Sequence, residues 1–325
     1  TAGTVIVDGL SYVVNSDGGT ATVAGCVDAS APKGDVIVAA TVFSGSDEYL
    51  VTAVADEAFK DCEGIESIVL PDTLEAFGKD VFKGCSSLQR IEVGERSKLH
   101  AVHDGMLFDK ELSTLLVCPE GKQPVASLPD SMTSFADDAF AGCRNLEAFQ
   151  VEEGNQTFAS VDGVLYSADR TRLVMAPART VSVIVAPETS VIASGAFSAC
   201  SSLASIIANG HVETIEGKAF SLETLSKAMV ALASGDDYDA RKAVWDEAGF
   251  TNYIEPAVPG EIQQPAPTQS GFVYELLDDY TLAVSWTGEN DPEADLVIPT
   301  TAKLDGVEYR GSAFAPAGFH VRQSL

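Results

Sequence analysis

The stretch Ala58-Phe59-Lys60-Asp61-Cys62-Glu63-Gly64-Ile65-Glu66-Ser67-Ile68-Val69-Leu70-Pro71 decides the fold, because the chain returns to it. It recurs from Val81-Phe82 through Cys85, Leu88 and Ile91 to Val93, and from Ala139-Phe140 through Cys143, Leu146 and Phe149 to Val151. A further copy runs from Ala196-Phe197 through Cys200, Leu203 and Ile206 to Ala208. Phe59 and Phe82 are 23 residues apart, as are Phe197 and Phe220. A fixed period in the twenties marks a solenoid, in which each short unit stacks on the next. Counted from each Phe, Cys stands at +3, an aliphatic at +6, and apolar residues at +9 and +11. The +9/+11 pair has the alternation of a strand, with both side chains on one face. Upstream, apolar residues recur at −8 and −5: Val51 and Val54, Leu74 and Phe77, Met132 and Phe135, Val212 and Ile215. No rung buries these residues alone; stacking closes the core.

A longer period lies over the first. Asp104-Gly105 returns as Asp162-Gly163, Leu107-Phe108 as Leu165-Tyr166, and Pro119 as Pro177, each 58 residues on. These inserts, near 99–119 and 157–177, read as strand, polar turn, strand: Met106–Phe108 with Thr114–Cys118, then Val164–Tyr166 with Arg172–Ala176.

The phrase resembles the BspA-type leucine-rich repeat family of anaerobic bacteria, whose pattern AF..C..L..I.LP..V..I is carried by positions 51–220. The hairpin inserts also look like that family. The resemblance implies a right-handed α/β-solenoid that is mostly β, a secreted or cell-surface location, and an adhesive, protein-binding role.

Around the solenoid, residues 1–50 read as a β-rich N-terminal cap. After Phe220, Leu222, Leu225, Met229 and Leu232 follow helical spacing, and Asp239 is placed to cap a second helix with Trp245 in the core. A helical cap over 221–250 is therefore expected. The prolines of 251–270 form a linker. Residues 271–325 restart the opening theme, with strands at Gly271–Leu277, Thr281–Trp286 and Leu296–Ile298, and Tyr309…Ala313-Phe314 matching Val54…Ala58-Phe59. The match fails at Ala317, His320 and Gln323, so the full protein is expected to continue into a second solenoid.

The net charge of −28 argues against phosphate backbones and anionic lipid as partners. No apolar run reaches the ~18 residues that suggest a membrane span. Six cysteines in a secreted chain invite a disulfide reading. Cys62, Cys85, Cys143 and Cys200 share one inward slot, however, which points to buried free thiols. Cys26 and Cys118 lie outside that register. His100 and His103 lack the further ligands of a zinc site, and the acidic loop Glu289–Asp295 lacks the spacing of a calcium loop. No catalytic signature occurs, so no enzyme and no cofactor is expected.

What remains is the outward face of the strands: Ser67 and Val69, Arg90 and Glu92, Ala148 and Gln150, Ser205 and Ile207. Strands about 4.8 Å apart would join these into one ribbon. The expected partner is an extracellular host or bacterial protein. The alternative is a spacer or glycan-binding module of a larger surface protein, but these eight positions hold no aromatic on which a sugar would stack.

Overall fold

The fold is a mostly-β solenoid of about 9 turns, 7% helical. In the computed structural model the described residues are 3–15, 18–28, 32–208, 210–233 and 235–254. The backbone alone is described for Phe272–Leu276, Leu282–Trp286, Thr301–Leu304 and Val307–Arg310. The proline-rich stretch, the acidic loop, the strand expected at Leu296–Ile298, and Phe314 with everything after it lie outside these residues.

The first compact unit comprises Thr1–Asp169 and Val174–Arg179. Its strands are β1 (Thr4–Val7), β2 (Leu10–Val14), β3 (Thr20–Cys26), β4 (Gly34–Ile37), β5 (Thr41–Ser44), β6 (Asp47–Val54), β7 (Ile65–Leu70), β8 (Ala76–Phe77) and β9 (Arg90–Val93). They continue as β10 (His100–His103), β11 (Met106–Asp109), β12 (Thr114–Val117), β13 (Val125–Leu128), β14 (Ser134–Phe135), β15 (Ala148–Val151), β16 (Phe158–Val161) and β17 (Val164–Ser167). The second unit, Arg170–Leu173 and Thr180–Leu325, takes the start of β18 (Arg172–Met175) and then β19 (Ser182–Val185), β20 (Val191–Ile192), β21 (Ser205–Ala208) and β22 (Thr214–Ile215). Helix α1 (Leu222–Lys227), β23 (Met229–Leu232), α2 (Tyr238–Ala248) and β24 (Tyr253–Ile254) follow. Beyond them, β25 (Phe272–Leu276) pairs antiparallel with β26 (Leu282–Trp286), and β27 (Thr301–Leu304) with β28 (Val307–Arg310).

The repeat dictates the core. Phe59, Phe82, Phe140, Phe197 and Phe220 are buried, and so are the +6 residues Ile65, Leu88, Leu146 and Leu203 and the +9 residues Ile68, Ile91, Phe149 and Ile206. Successive Phe rings stack, at 5.6 Å between centroids for Phe59–Phe82 and 4.8 Å for Phe197–Phe220. Backbone bonds link the corners as they link the strands. The N–H groups of Glu57, Phe59 and Asp61 donate to the carbonyls of Lys79, Val81 and Lys83 at 2.8–2.9 Å. The +9 and +11 strands pair in parallel, one rung to the next: Ile68↔Ile91, Phe149↔Ala126, Ile206↔Val230.

Three expectations change. First, Cys62 is not a free thiol: it is bridged to Cys26. Strand β3 runs parallel to β6 with Val23 opposite Val54, which brings Gly25 and Cys26 against the corner at Ala58. The approach is so close that a Cβ on Gly25, whose φ is +129°, would lie 1.7 Å from the Ala58 carbonyl oxygen. Cys85, Cys118, Cys143 and Cys200 remain buried thiols. Burial pushes Cys85 and Cys200 up to about 12. Second, Met229–Leu232 is a strand, although its spacing reads as helix. Helix α1 stops at Lys227 because Ala228 is already extended, and β23 then adds to β21 in register. Leu222, counted on the apolar face, is 87% exposed. Third, the outward residues do not make one ribbon. The parallel strands fall into separate sheets, β4–β7–β9, β13–β15 and β19–β21–β23–β24. Helix α2 does form, but it starts at Tyr238, so Asp237 stands at its N-cap and Asp239, expected there, lies in the first turn; Gly249 is its left-handed C-cap and Trp245 is buried against Phe220 and Phe250.

Candidate functional site

The hairpins explain the break in the ribbon. In the first, β10 and β11 pair antiparallel through the turn Asp104-Gly105, where φ is +50° and +73°. The Gly105 carbonyl accepts the Ile91 N–H at 2.8 Å, so the turn occupies the edge of β9 that the next rung would need. A side chain there would meet Arg90, with a Cβ 2.8 Å from its Cβ. On its other flank, the Asp104 carboxylate accepts the Ser127 N–H at 2.8 Å and pairs with buried Lys122 at 3.0 Å. The turn thus caps β9 and anchors the loop that leads into β13. The second hairpin repeats the first contact: Gly163 accepts the Phe149 N–H at 2.8 Å, and its Cβ would lie 2.9 Å from that of Ala148.

This leaves β4–β7–β9 as a bounded three-strand face. Its register sets two outward rows, Asp35–Ser67–Arg90 and Ile37–Val69–Glu92. In the first row the Ser67 hydroxyl donates to the Asp35 carboxylate, and the Arg90 guanidinium lies 3.6 Å from that carboxylate. The rows are joined by Arg90 Nε donating to Glu92 Oε1 at 3.0 Å. Asp35, Arg90 and Glu92 are exposed, Val69 is half-buried, and Ile37 is 69% exposed. Ser67 sits on the central strand and is covered by its longer neighbours. The rim pairs are solvated and add little to stability.

The other expected face residues lie elsewhere. Ala148 and Gln150 belong to β15, where Gln150 is exposed and Ala148 is half-buried under the Gly163 turn. Ser205 and Ile207 are both buried, which corrects their expected exposure. Their central strand β21 is flanked in register by Ser182 and Met229, and by Ile184 and Ala231. The sequence reading missed Asp35 and Ile37. Strand β4 lacks the Phe-to-Cys phrase, and its one signal is the unbroken apolar run of residues 36–40.

Other candidate groups serve the fold. His100 and His103 are three apart on a strand, so their side chains point to opposite faces and do not converge on one ion. Burial holds His100 below its usual range beside the edge of Phe77. His103 Nε2 lies 3.2 Å from Glu152 Oε1, off the line of a hydrogen bond. Glu216 is held low by the Ser194 N–H and by Arg172, which fixes it as a brace between strands. Among the described residues, no three His, Cys, Asp or Glu side chains cluster to hold a metal, and no helix is long and apolar enough to cross a membrane.

The profile of the BspA type leucine rich repeat region matches six copies, over residues 118–161 and 178–232. These rungs are BspA-type leucine-rich repeats. No curated protein is similar enough to stand as a relative. Among solved structures, the pneumococcal vaccine antigen PcpA shares 20% identity over 71% of this chain and 72% of its own, with a TM-score of 0.42. A leucine-rich repeat protein from Eubacterium ventriosum shares 14% over 72% and 73%, at 0.40. One from Bacteroides ovatus shares 18% over 71% of each chain, at 0.37. The matched rungs include the stacked pair Phe197–Phe220 and the buried +3 cysteines Cys143 and Cys200, while the face of β4–β7–β9 lies outside the matched residues.

Proposed function

We propose that this chain is a non-catalytic, protein-binding module displayed outside the cell, and that its partner docks on the face of β4–β7–β9. The observation that supports this reading is the pair of outward rows. Asp35, Arg90 and Glu92 present fixed charges of both signs on rigid strands, beside the exposed side chain of Ile37. An apolar patch rimmed by charges suits a protein surface, where burial supplies affinity and charges set register. Repeat proteins of this kind bind through such regular faces, and the family is one of surface proteins. The partner class is an extracellular protein of a host or of neighbouring bacteria.

The test is surface binding to extracellular-matrix and serum proteins, wild type beside Arg90→Glu with Glu92→Arg. The double variant keeps the net charge and reverses the pattern. Binding by the wild type that falls at least tenfold in the variant supports the face. Binding unchanged by the swap and by Ile37→Asp overturns it. Retention on a glycan array with no protein bound replaces it with the glycan-binding reading.

A further inference from the structure

The bridge between Cys26 and Cys62 occupies a register position, and the chain contains that position again with two more cysteines. In the bridged case, β3 lies parallel to β6 with Val23 opposite Val54; Cys26 follows Val23 by three residues, and Cys62 follows Val54 by eight. In the later case, β12 lies parallel to β14 with Leu115 opposite Phe135. Cys118 follows Leu115 by three residues, and Cys143 follows Phe135 by eight. The corners correspond as well. Ala58 and Ala139 each precede the Phe of their rung; the Ala58 carbonyl is pressed against Gly25, and the Ala139 carbonyl accepts the Cys118 N–H at 2.8 Å. The Cys143 thiol lies 3.4 Å from the Cys118 carbonyl oxygen and 3.5 Å from that of Pro119. Both sulfurs are buried within one apolar cluster, with Met106, Met132 and Leu146.

We infer that Cys118 and Cys143 form a second disulfide, equivalent to Cys26–Cys62, when the chain folds in an oxidising compartment. The step is thiol–disulfide exchange with a low-molecular-weight disulfide such as oxidised glutathione. One cysteine thiolate attacks the reagent and releases one reduced thiol. The second thiolate then displaces the other, so two protein thiols are oxidised and one reagent disulfide is reduced. Burial, and after it the neighbouring Cys143 thiol, push the Cys118 thiol up once the rung is closed. The exchange therefore belongs to folding, while the pair is still wet. The other two +3 cysteines lack this arrangement. At the matching offset after Leu173 the chain has Ala176 in place of a cysteine, and Cys85 follows a rung whose own cysteine is already bridged.

The sequence makes the test direct, because each cysteine falls on its own tryptic peptide. The full chain is refolded from guanidinium chloride with oxidised glutathione and an excess of reduced glutathione, which returns unpaired cysteines to thiols, then denatured in iodoacetamide and digested without reductant. The expected result is residues 111–122 linked to residues 123–144, with Cys85 and Cys200 alkylated. The number of alkylatable cysteines then falls from the four thiols of the structure to two. Alkylation of both Cys118 and Cys143, glutathione retained on either, or a link from either to another cysteine overturns the inference. A Cys118→Ala chain carried through the same steps should show Cys143 alkylated. If Cys143 is instead linked to a third cysteine, the register argument is wrong.

Discussion

In β7 and β21 the inward residues are interchangeable, since Ile68 and Ile206 are both fully buried. The outward residues are not. Beside Ser67 and Val69 stand Asp35, Arg90, Ile37 and Glu92, whereas beside Ser205 and Ile207 stand Ser182, Met229, Ile184 and Ala231. The first set is charged and open; the second carries no charge, and Ile207 is buried. Stacking demands the same inward shape from every rung, because each must fit its neighbours at close-packed density. It demands nothing of the outward row, so that row is where one rung acquires a property another lacks.

The difference is tested most severely by placing a charge in each outward row. Ile207→Asp should cost about 3–5 kcal/mol, since it buries a carboxylate without a partner, while Val69→Asp should cost less than about 1 kcal/mol at a half-exposed position. Equal shifts in urea midpoint would erase the distinction. The likeness of the inward rows is tested by Ile68→Ala and Ile206→Ala. Each should cost about 2–5 kcal/mol, with similar values for the two, and a mild effect at either site would remove that residue from the shared core.

A smaller effect concerns the hairpin that closes off β9. Although partial burial pushes Asp109 up, hydrogen bonds from Ser113 and Thr114 hold it below the usual carboxylate range. A depressed folded pKa gives stability that is complete above the unfolded value, near ~3.9, and is lost as pH falls through the folded one. Asp109→Ala should therefore cost about 1–2 kcal/mol at neutral pH, and its denaturation midpoint should converge with wild type in acid; a constant gap at all pH would refute the role. The smallest change is the exchange of Arg90 and Glu92, expected to alter stability by less than about 0.5 kcal/mol while binding falls. A large loss of stability would show that the pair serves the fold.

Most of the core is legible in the sequence because it repeats: a Phe at a 23-residue spacing has to meet its copies. The recurrence 58 residues on likewise announces both inserts, and the expected pairing of Met106–Phe108 with Thr114–Cys118 is found as β11 with β12; the strands β10 and β16, which the Asp-Gly turns join to β11 and β17, are not legible in it. Features set by meetings between unlike segments are not legible. Strand β4 lacks the Phe-to-Cys phrase, yet it supplies Asp35 and Ile37 to the candidate face. Cys26 sits outside the period, and its bridge depends on the β3–β6 register. At Met229–Leu232 two periods compete, and the rung spacing from Ile206 to Val230 prevails over the helical one because a free sheet edge was waiting at β21. Alternation sets Ser205 and Ile207 opposite in face to Ile206, but it does not say what flanks them, and both are buried.

The Cys26–Cys62 bridge has a consequence for a chain under tension. A protein tethered at a surface and pulled by flow lengthens as its rungs peel apart, each released residue adding about 3.4 Å of contour. The chain from Cys26 to Cys62, a sequence separation of 36, is withheld from that lengthening, a reserve of roughly 120 Å at that rise per residue. A single molecule stretched between its ends should extend by that much more once a reductant is added, so the covalent state of one pair of sulfurs sets how far the N-terminal end of the solenoid yields before it carries load.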